Sequence, residues 1–463
     1  MDKDVVIGGN WNILGIRYEG ELVFNKTNGV ILLDIHYVDP SCQIAWYNKP
    51  DKFNEITGIT NQKNKCILTD CLVVKKQTYF PDRHHVVICA KSLFFGLKNK
   101  KQSTLKFNEA RFQLSNIFQW TKLNGLEKIN NYPKYWIDVV YKPKDKISIK
   151  VDEETTIEFV PGMGSFNPDM LVEKLSISQY VSIYIKKKTP VLYEKFFEDL
   201  NKVIDLILIS TNKNIKIRKI EYVNYKHFNI INDQKDYIKF EVIDNRMEET
   251  ELITTNNRID VYNYLFDLPE IVKDNKINKW FDNYDKYRNI YNLFLLSIKN
   301  QVPDEIKFCN YMQSIELLHN LKYSRLKKFY RHIDEKLSAN HSLINEIKND
   351  KDQSESAFII LKSRMIDLLK NDYLFISEEN IIKLSIVLTD SRNYYTHYND
   401  SKKTKCVVKS NLIYAVFLMN TLLTCYIMET LGFDIKYIKE KMSNNFRLIE
   451  EKEMIKNIIE NKR

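Results

Sequence analysis

Over the first 260 or so residues, apolar positions fall in short runs of strand length, punctuated by clusters of Asn, Asp, Lys and Pro. The runs at residues 19–24 and 29–38 flank Asn25-Lys26-Thr27-Asn28, a set of turn formers that predicts a hairpin. Further strands are predicted at residues 65–74, 84–91, 104–114, 135–141, 147–151, 155–160 and 176–186. From Leu192 to Leu208 the apolar spacing becomes helical, and strands return at 215–222, 237–243 and 251–255. From Pro269 onward the pattern is almost wholly helical, with polar breaks at residues 300–303 and 349–356. The predicted fold class is α+β. A β-rich domain over residues 1–265, of one or two subdomains, precedes an all-α helical bundle over residues 266–463.

Composition changes this picture little. Apolar residues at 44% and charged residues at 28% describe a globular chain, and only 11 Gly and 10 Pro argue against long flexible linkers. The net charge of +10 fits a polyanionic partner, although a merely basic soluble protein fits it equally well. Seven cysteines with no C-x-x-C pair and no Cys/His zinc spacing suggest a reducing compartment. No signal-peptide apolar region occurs in MDKDVVIGGN. The segment from Leu412 to Leu431 is long enough to span a bilayer, but Asn420, Thr421, Thr424 and Glu429 interrupt it. We read it as a buried core helix, and the protein as cytoplasmic with no membrane partner.

Several chemistries find no support in the sequence. It has no phosphate loop, no G-x-S-x-G elbow, no H-E-x-x-H and no dense acidic cluster for two metals. His84-His85 lie in a strand-like run, where neighbours point to opposite faces, so they read as a surface pair rather than one metal grip. No metal and no cofactor are expected.

One helix carries candidate chemistry. Ser377 is a capping residue, and Glu378 and Glu379 follow where the helix dipole favours acids. Ile381, Ile382, Leu384, Val387 and Leu388 supply an apolar stripe, and the helix should end near residues 397–399. Arg392 and His397 then occupy its last two turns. At about 100° per residue, five residues place them about 140° apart, whereas Asn393 and His397 share a face. On a regular helix the pair cannot readily clasp one phosphate. Either the helix distorts before His397, or two copies meet about a dyad and pool their residues. Arg offers a fork of donors for a scissile phosphate, and His titrates near neutrality and can move the 2′-hydroxyl or 5′-oxygen proton. Such chemistry needs no metal and refuses DNA. The alternative for these two residues is a surface Arg and a helix-terminal His that stabilises the last carbonyls.

Arg-x4-His, with Asn after the Arg and an apolar helix following, resembles the R-x4-6-H motif of HEPN ribonucleases. Met312-Gln313-Ser314-Ile315-Glu316-Leu317-Leu318-His319 is similar to the early HEPN helix that carries an acidic residue within an apolar face. In the first half, Gly58-Ile59-Thr60 leading to Lys65-Cys66-Ile67-Leu68-Thr69-Asp70-Cys71 resembles the β-rich domain of the ApeA family of bacterial anti-phage proteins. Phe112-Gln113-Leu114-Ser115-Asn116-Ile117 before Trp120 agrees. Tyr398 departs from the family, which often has a small residue after the His.

The resemblance implies an abortive-infection ribonuclease that dimerises, or assembles further, through its HEPN domain. It would cut cellular RNA, tRNA being the expected substrate, once a phage-derived trigger acts on the β domain. Arg392, His397 and Asn393 would be the catalytic set. Glu316 would support Arg392 or be a solvated acid, and Tyr394 and Tyr395 would stack on a base or pack in the core or dimer. Lys402, Lys403 and Lys405, with Arg325 and Lys328 of a second basic stripe, would track RNA or simply form solvated faces. The competing function is a non-catalytic HEPN scaffold that dimerises or binds a nucleotide, joined to a ligand-sensing β domain.

Overall fold

The computed structural model describes residues 4–25, 27–38, 49–79, 82–96, 105–131, 136–164, 178–247, 264–300, 302–322, 355–370, 373–374, 376–398, 403–444 and 451–460. The chain divides into two compact units, one of residues 1–204 and 213–257, the other of residues 205–212 and 258–463.

The first unit is built on strands Val5–Ile13 (β1), Ile16–Asn25 (β2), Val30–Val38 (β3), Lys52–Thr60 (β4), Lys65–Tyr79 (β5) and Arg83–Ala90 (β6). Their antiparallel pairing closes on itself in the order β1-β2-β3-β6-β5-β4, a six-stranded barrel. Closure removes the exposed edges that would otherwise invite pairing with other chains. The β2–β3 hairpin turns as its sequence predicts: the Asn25 side chain accepts from the backbone N–H groups of Thr27 and Asn28. Alternate residues fill the barrel, among them Trp11, Leu22, Ile31, Leu33, Ile35, Ile56, Leu68 and Ile88.

A glycine makes that packing possible. A Cβ at Gly58 would lie 2.4 Å from Trp11 Cε3, so the indole lies directly against the β4 backbone. Trp11 Nε1 donates to the Gly20 carbonyl at 3.1 Å, which satisfies its one polar atom.

β5 continues the barrel into an open sheet through Ser92–Phe95 (β7), which it also pairs. Beyond lie Lys106–Leu114 (β8), Leu126–Asn131 (β9), Trp136–Tyr141 (β10), Ile147–Lys150 (β11), Thr155–Met163 (β12), Gln179–Leu192 (β13), Ile217–Ile231 (β14) and Gln234–Asp244 (β15). The order from the barrel outward is β7-β15-β14-β8-β13-β12-β11, while β9 and β10 pair separately. A short helix, Phe118–Thr121 (α1), follows β8, and Tyr193–Thr211 (α2) follows β13. Phe94, Phe107, Phe112, Tyr193, Phe196 and Tyr222 form one aromatic core beside the sheet.

His84 and His85 do point to opposite faces, but they are not a surface pair. His84 is buried in the barrel, its Nδ1 3.1 Å from Thr78 Oγ1 and its ring stacked on Tyr37. The His85 side chain, on the outer face, is only 11% exposed. A polar pair in sequence says nothing of the neighbouring strands that cover it.

The second unit is helical: Leu268–Val272 (α3), Lys276–Lys299 (α4), Asp304–Lys322 (α5), Glu355–Leu369 (α6), Glu378–His397 (α7), Leu412–Leu431 (α8), Ile435–Ser443 (α9) and Glu451–Glu460 (α10). Asp267 and Glu270 form a reciprocal capping box at the start of α3. The predicted break at 300–303 separates α4 from α5. The predicted strand at 251–255 and most of the break at 349–356 lie outside the described residues. α8 is long and apolar enough to cross a membrane, but most of its side chains are buried. It is the central helix, packed against α4, α5, α9 and α10. Tyr426 on it donates to the Leu368 carbonyl of α6 at 3.0 Å.

The candidate Arg–His site

α7 begins as its sequence dictates. The Ser377 side chain accepts from the Asn380 N–H, and Glu378 and Glu379 fill the first turn. Leu384, Val387 and Leu388 bury the inner face completely. The helix runs unbroken through His397, so Arg392 and His397 remain about 140° apart around its axis. Of the two resolutions open to the sequence, distortion before His397 does not occur.

Arg392 is held from two sides. Its Nη2 lies 3.3 Å from Glu316 Oε1 on α5, and its Nη1 donates to Asn393 Oδ1 at 3.2 Å. Both ion-pair partners are largely shielded, with side chains 27% and 22% exposed, so solvent screens the pair less than it would a surface one. Cys309, one turn into α5, has its thiol pushed up by burial, against the opposing pull of Thr396 and the Arg392 charge. His397 is exposed, and among the described residues no hydrogen bond or ion pair joins it to Arg392.

Tyr398 ends the helix in the left-handed region, at φ 50° and ψ 38°. A β-carbon is disfavoured there, so Gly or Asn would end the helix with less strain. Its side chain is 69% exposed.

Tyr395 is a strut. Its hydroxyl donates to the Val407 carbonyl at 2.9 Å, and its ring meets Phe308 of α5 edge-on. Tyr394 lies edge-on to both Tyr395 and Tyr398. Ser391 was not singled out in the sequence, yet it is buried at the centre of this arrangement. Its hydroxyl donates to the Val387 carbonyl and accepts from the Val407 N–H at 2.9 Å, tying the chain beyond the helix back to its last turns. A small polar residue within an apolar stripe was the only signal for it.

Lys403 and Lys405 are exposed on the segment after α7. Lys409 pairs with Glu305 at 2.8 Å, and that hydrogen bond holds the Glu305 carboxyl below its usual value. Lys402, Arg325 and Lys328 lie outside the described residues, as do Tyr323, Lys327, Phe329, Tyr330 and Arg331. The structure thus brings Arg392, Asn393 and Glu316 together and leaves His397 about 140° around the helix from Arg392.

Family comparisons match residues 7–284 to ApeA N-terminal domain 1 and residues 309–437 to Apea-like HEPN. No curated protein and no solved structure matches.

Proposed function

Because the chain belongs to the ApeA N-terminal domain 1 family and carries an Apea-like HEPN domain, we propose that it is a metal-independent RNA endonuclease of anti-phage defence. HEPN domains are a family of RNases often found in such systems. The observation that carries the reading is Arg392, braced by Glu316 and Asn393 at the end of a regular helix whose His397 points elsewhere.

A braced guanidinium suits the extra negative charge of a phosphate under attack, since it need not reorganise as charge develops. In RNA the 2′-hydroxyl is the nucleophile. It attacks the adjacent phosphorus, the bond to the 5′-oxygen breaks, and a 2′,3′-cyclic phosphate remains. His397 moves the proton, taken from the 2′-oxygen or given to the leaving 5′-oxygen. Asn393 keeps Arg392 in register, while Lys403 and Lys405 meet the RNA backbone.

The divergence of Arg392 and His397 favours a site shared by two copies, with Arg392 of one acting beside His397 of the other. Exposed apolar side chains at Tyr398, Ile413 and Phe417 of this unit suit such a contact. The β-rich domain is then the sensor or restraint, the protein acts in the cytoplasm, and cellular RNA, tRNA above all, is the substrate.

The test is expression of wild type, Arg392→Ala and His397→Ala in cells challenged with phage, with RNA sequenced from its ends. Wild type should leave 2′,3′-cyclic phosphate ends and keep cutting in EDTA once activated. Each variant should lose about 100-fold or more in rate. If both variants cut like wild type, or Mg²⁺ proves essential, the reading fails and the domain is a scaffold.

A further inference from the structure

Among the described residues, one group of three side chains outside the Arg–His site offers metal-ligand atoms within reach of one another. Asp34 and His36 are two apart on β3 and so project from the same, outer face of the barrel. On the neighbouring strand His85 sits directly opposite His36. The donor atoms of all three lie within 4.8 Å of one another. Asp34 Oδ1 is 3.2 Å from His36 Nε2 and 2.9 Å from His85 Nε2. The two imidazoles stack with centroids 4.1 Å apart and planes 12° from parallel.

We propose that Asp34, His36 and His85 form a binding site for a divalent transition-metal ion of the Zn²⁺ class on the outer face of the barrel. Two of the three separations support it, since ligands about 2.0–2.1 Å from a tetrahedral ion stand about 3.3 Å from each other, and the exposed His36 ring would turn out of its stack on His85 so that both in-plane lone pairs meet the ion. Two imidazoles and one carboxylate suit Zn²⁺, Co²⁺ or Ni²⁺, whereas Mg²⁺ and Ca²⁺ take oxygen ligands almost exclusively.

A second observation is independent of the spacing. Asp34 Oδ1 and His85 Nε2 are both sealed from solvent, and neither makes a hydrogen bond. At 2.9 Å an imidazole N–H aimed at the carboxylate would form a strong, charge-assisted bond. The geometry does not provide one, so the two buried atoms meet only as an ion-pair contact and their hydrogen-bonding capacity is unmet. A cation seated beside the pair, about 2.0–2.1 Å from each atom, satisfies both.

The ligands divide the work. His85 is nearly buried and pre-set, and His36, 70% exposed, closes the site from solvent. Three protein ligands leave a fourth tetrahedral position, which opens toward solvent and accepts water or a donor atom from another molecule. The ion would clamp β3 to β6 across the barrel wall. It belongs to the unit that does not contain Arg392, and the cleavage chemistry does not pass through it.

The full-length protein, stripped with EDTA, is titrated with Co²⁺ and then with Zn²⁺. Wild type should take up one Co²⁺ with the visible absorption of a tetrahedral nitrogen–oxygen site, and Zn²⁺ should displace it. Zn²⁺ should also raise the melting temperature. His36→Ala, at an exposed ring that the fold does not need, and Asp34→Asn should each weaken binding about tenfold or more and shrink the melting shift accordingly. Absence of stoichiometric binding by wild type, unchanged binding in both variants, or the near-ultraviolet charge transfer of a thiolate site would overturn the proposal.

Discussion

Tyr398 occupies a backbone position that an L side chain with a β-carbon adopts at a cost of about 1 kcal/mol, and Asn tolerates it better. Tyr398→Asn should therefore stabilise the helical unit by about 1 kcal/mol, read as a raised denaturation midpoint by far-ultraviolet circular dichroism. A lowered midpoint would mean that the ring's contact with Tyr394 matters more than the backbone. Glu316 presents a sharper case. Glu316→Gln keeps the shape but removes the charge that orients Arg392, and a small misplacement at a reacting centre is costly. The activated protein should lose about 10-fold in cleavage rate with an unchanged melting curve, and a wild-type rate would reduce Glu316 to a bystander. Arg392, Asn393 and His397 could be singled out as candidates from the sequence because the motif is local. The part played by Ser391 was not, because it depends on Val407, which reaches it only after the chain turns back. Nor was the Asp34–His36–His85 group, because the register of β3 against β6 assembles it and no spacing rule encodes it.

Elements were legible where their pattern was clean. The helical spacing after Leu192 marks α2, and Ser377 with its two acids marks the start of α7. β1 and β4 were not predicted, because Gly8, Gly9, Asn10 and Asn12 in one, and Asn54 and Gly58 in the other, break the run of strand-forming residues. The barrel uses the glycines instead for close approach. A Cβ at Gly9 would lie 2.7 Å from the Ile59 carbonyl oxygen, as Gly58 must clear Trp11. β7 was missed because a run of four residues carries little periodicity. Gly58→Ala should accordingly destabilise the barrel by about 1–3 kcal/mol, since neither the indole nor the strand can yield freely. Tryptophan fluorescence during urea unfolding measures it, and an unchanged midpoint would show that Trp11 can shift without cost.

For the whole molecule, the shared-site reading predicts complementation. Arg392→Ala and His397→Ala proteins, each inactive alone, should regain cleavage when co-expressed, because one of the two sites in a mixed dimer keeps both residues. Recovery should approach one quarter of the wild-type rate if the subunits mix at random, and a mixture as dead as its components would place both residues in one chain's own site. A trigger and an RNA substrate leave no local pattern in the chain, so the sequence bears on them only through family resemblance.

β5 has one further consequence. Residues 66–69 of this strand are bonded to β4 on one side and β7 on the other, and from Leu72 the second neighbour becomes β6. The change of partner follows Asp70, whose φ of 49° bends the strand out of one layer and into the other. The barrel and the open sheet therefore share a single seam, and neither can melt without parting it. In deuterium labelling, the amides of residues 66–69 should exchange among the slowest of the unit, at the rate of its global opening. The barrel would then respond to a bound molecule as part of a larger cooperative body, so that tightening at its wall is felt as protection along the sheet.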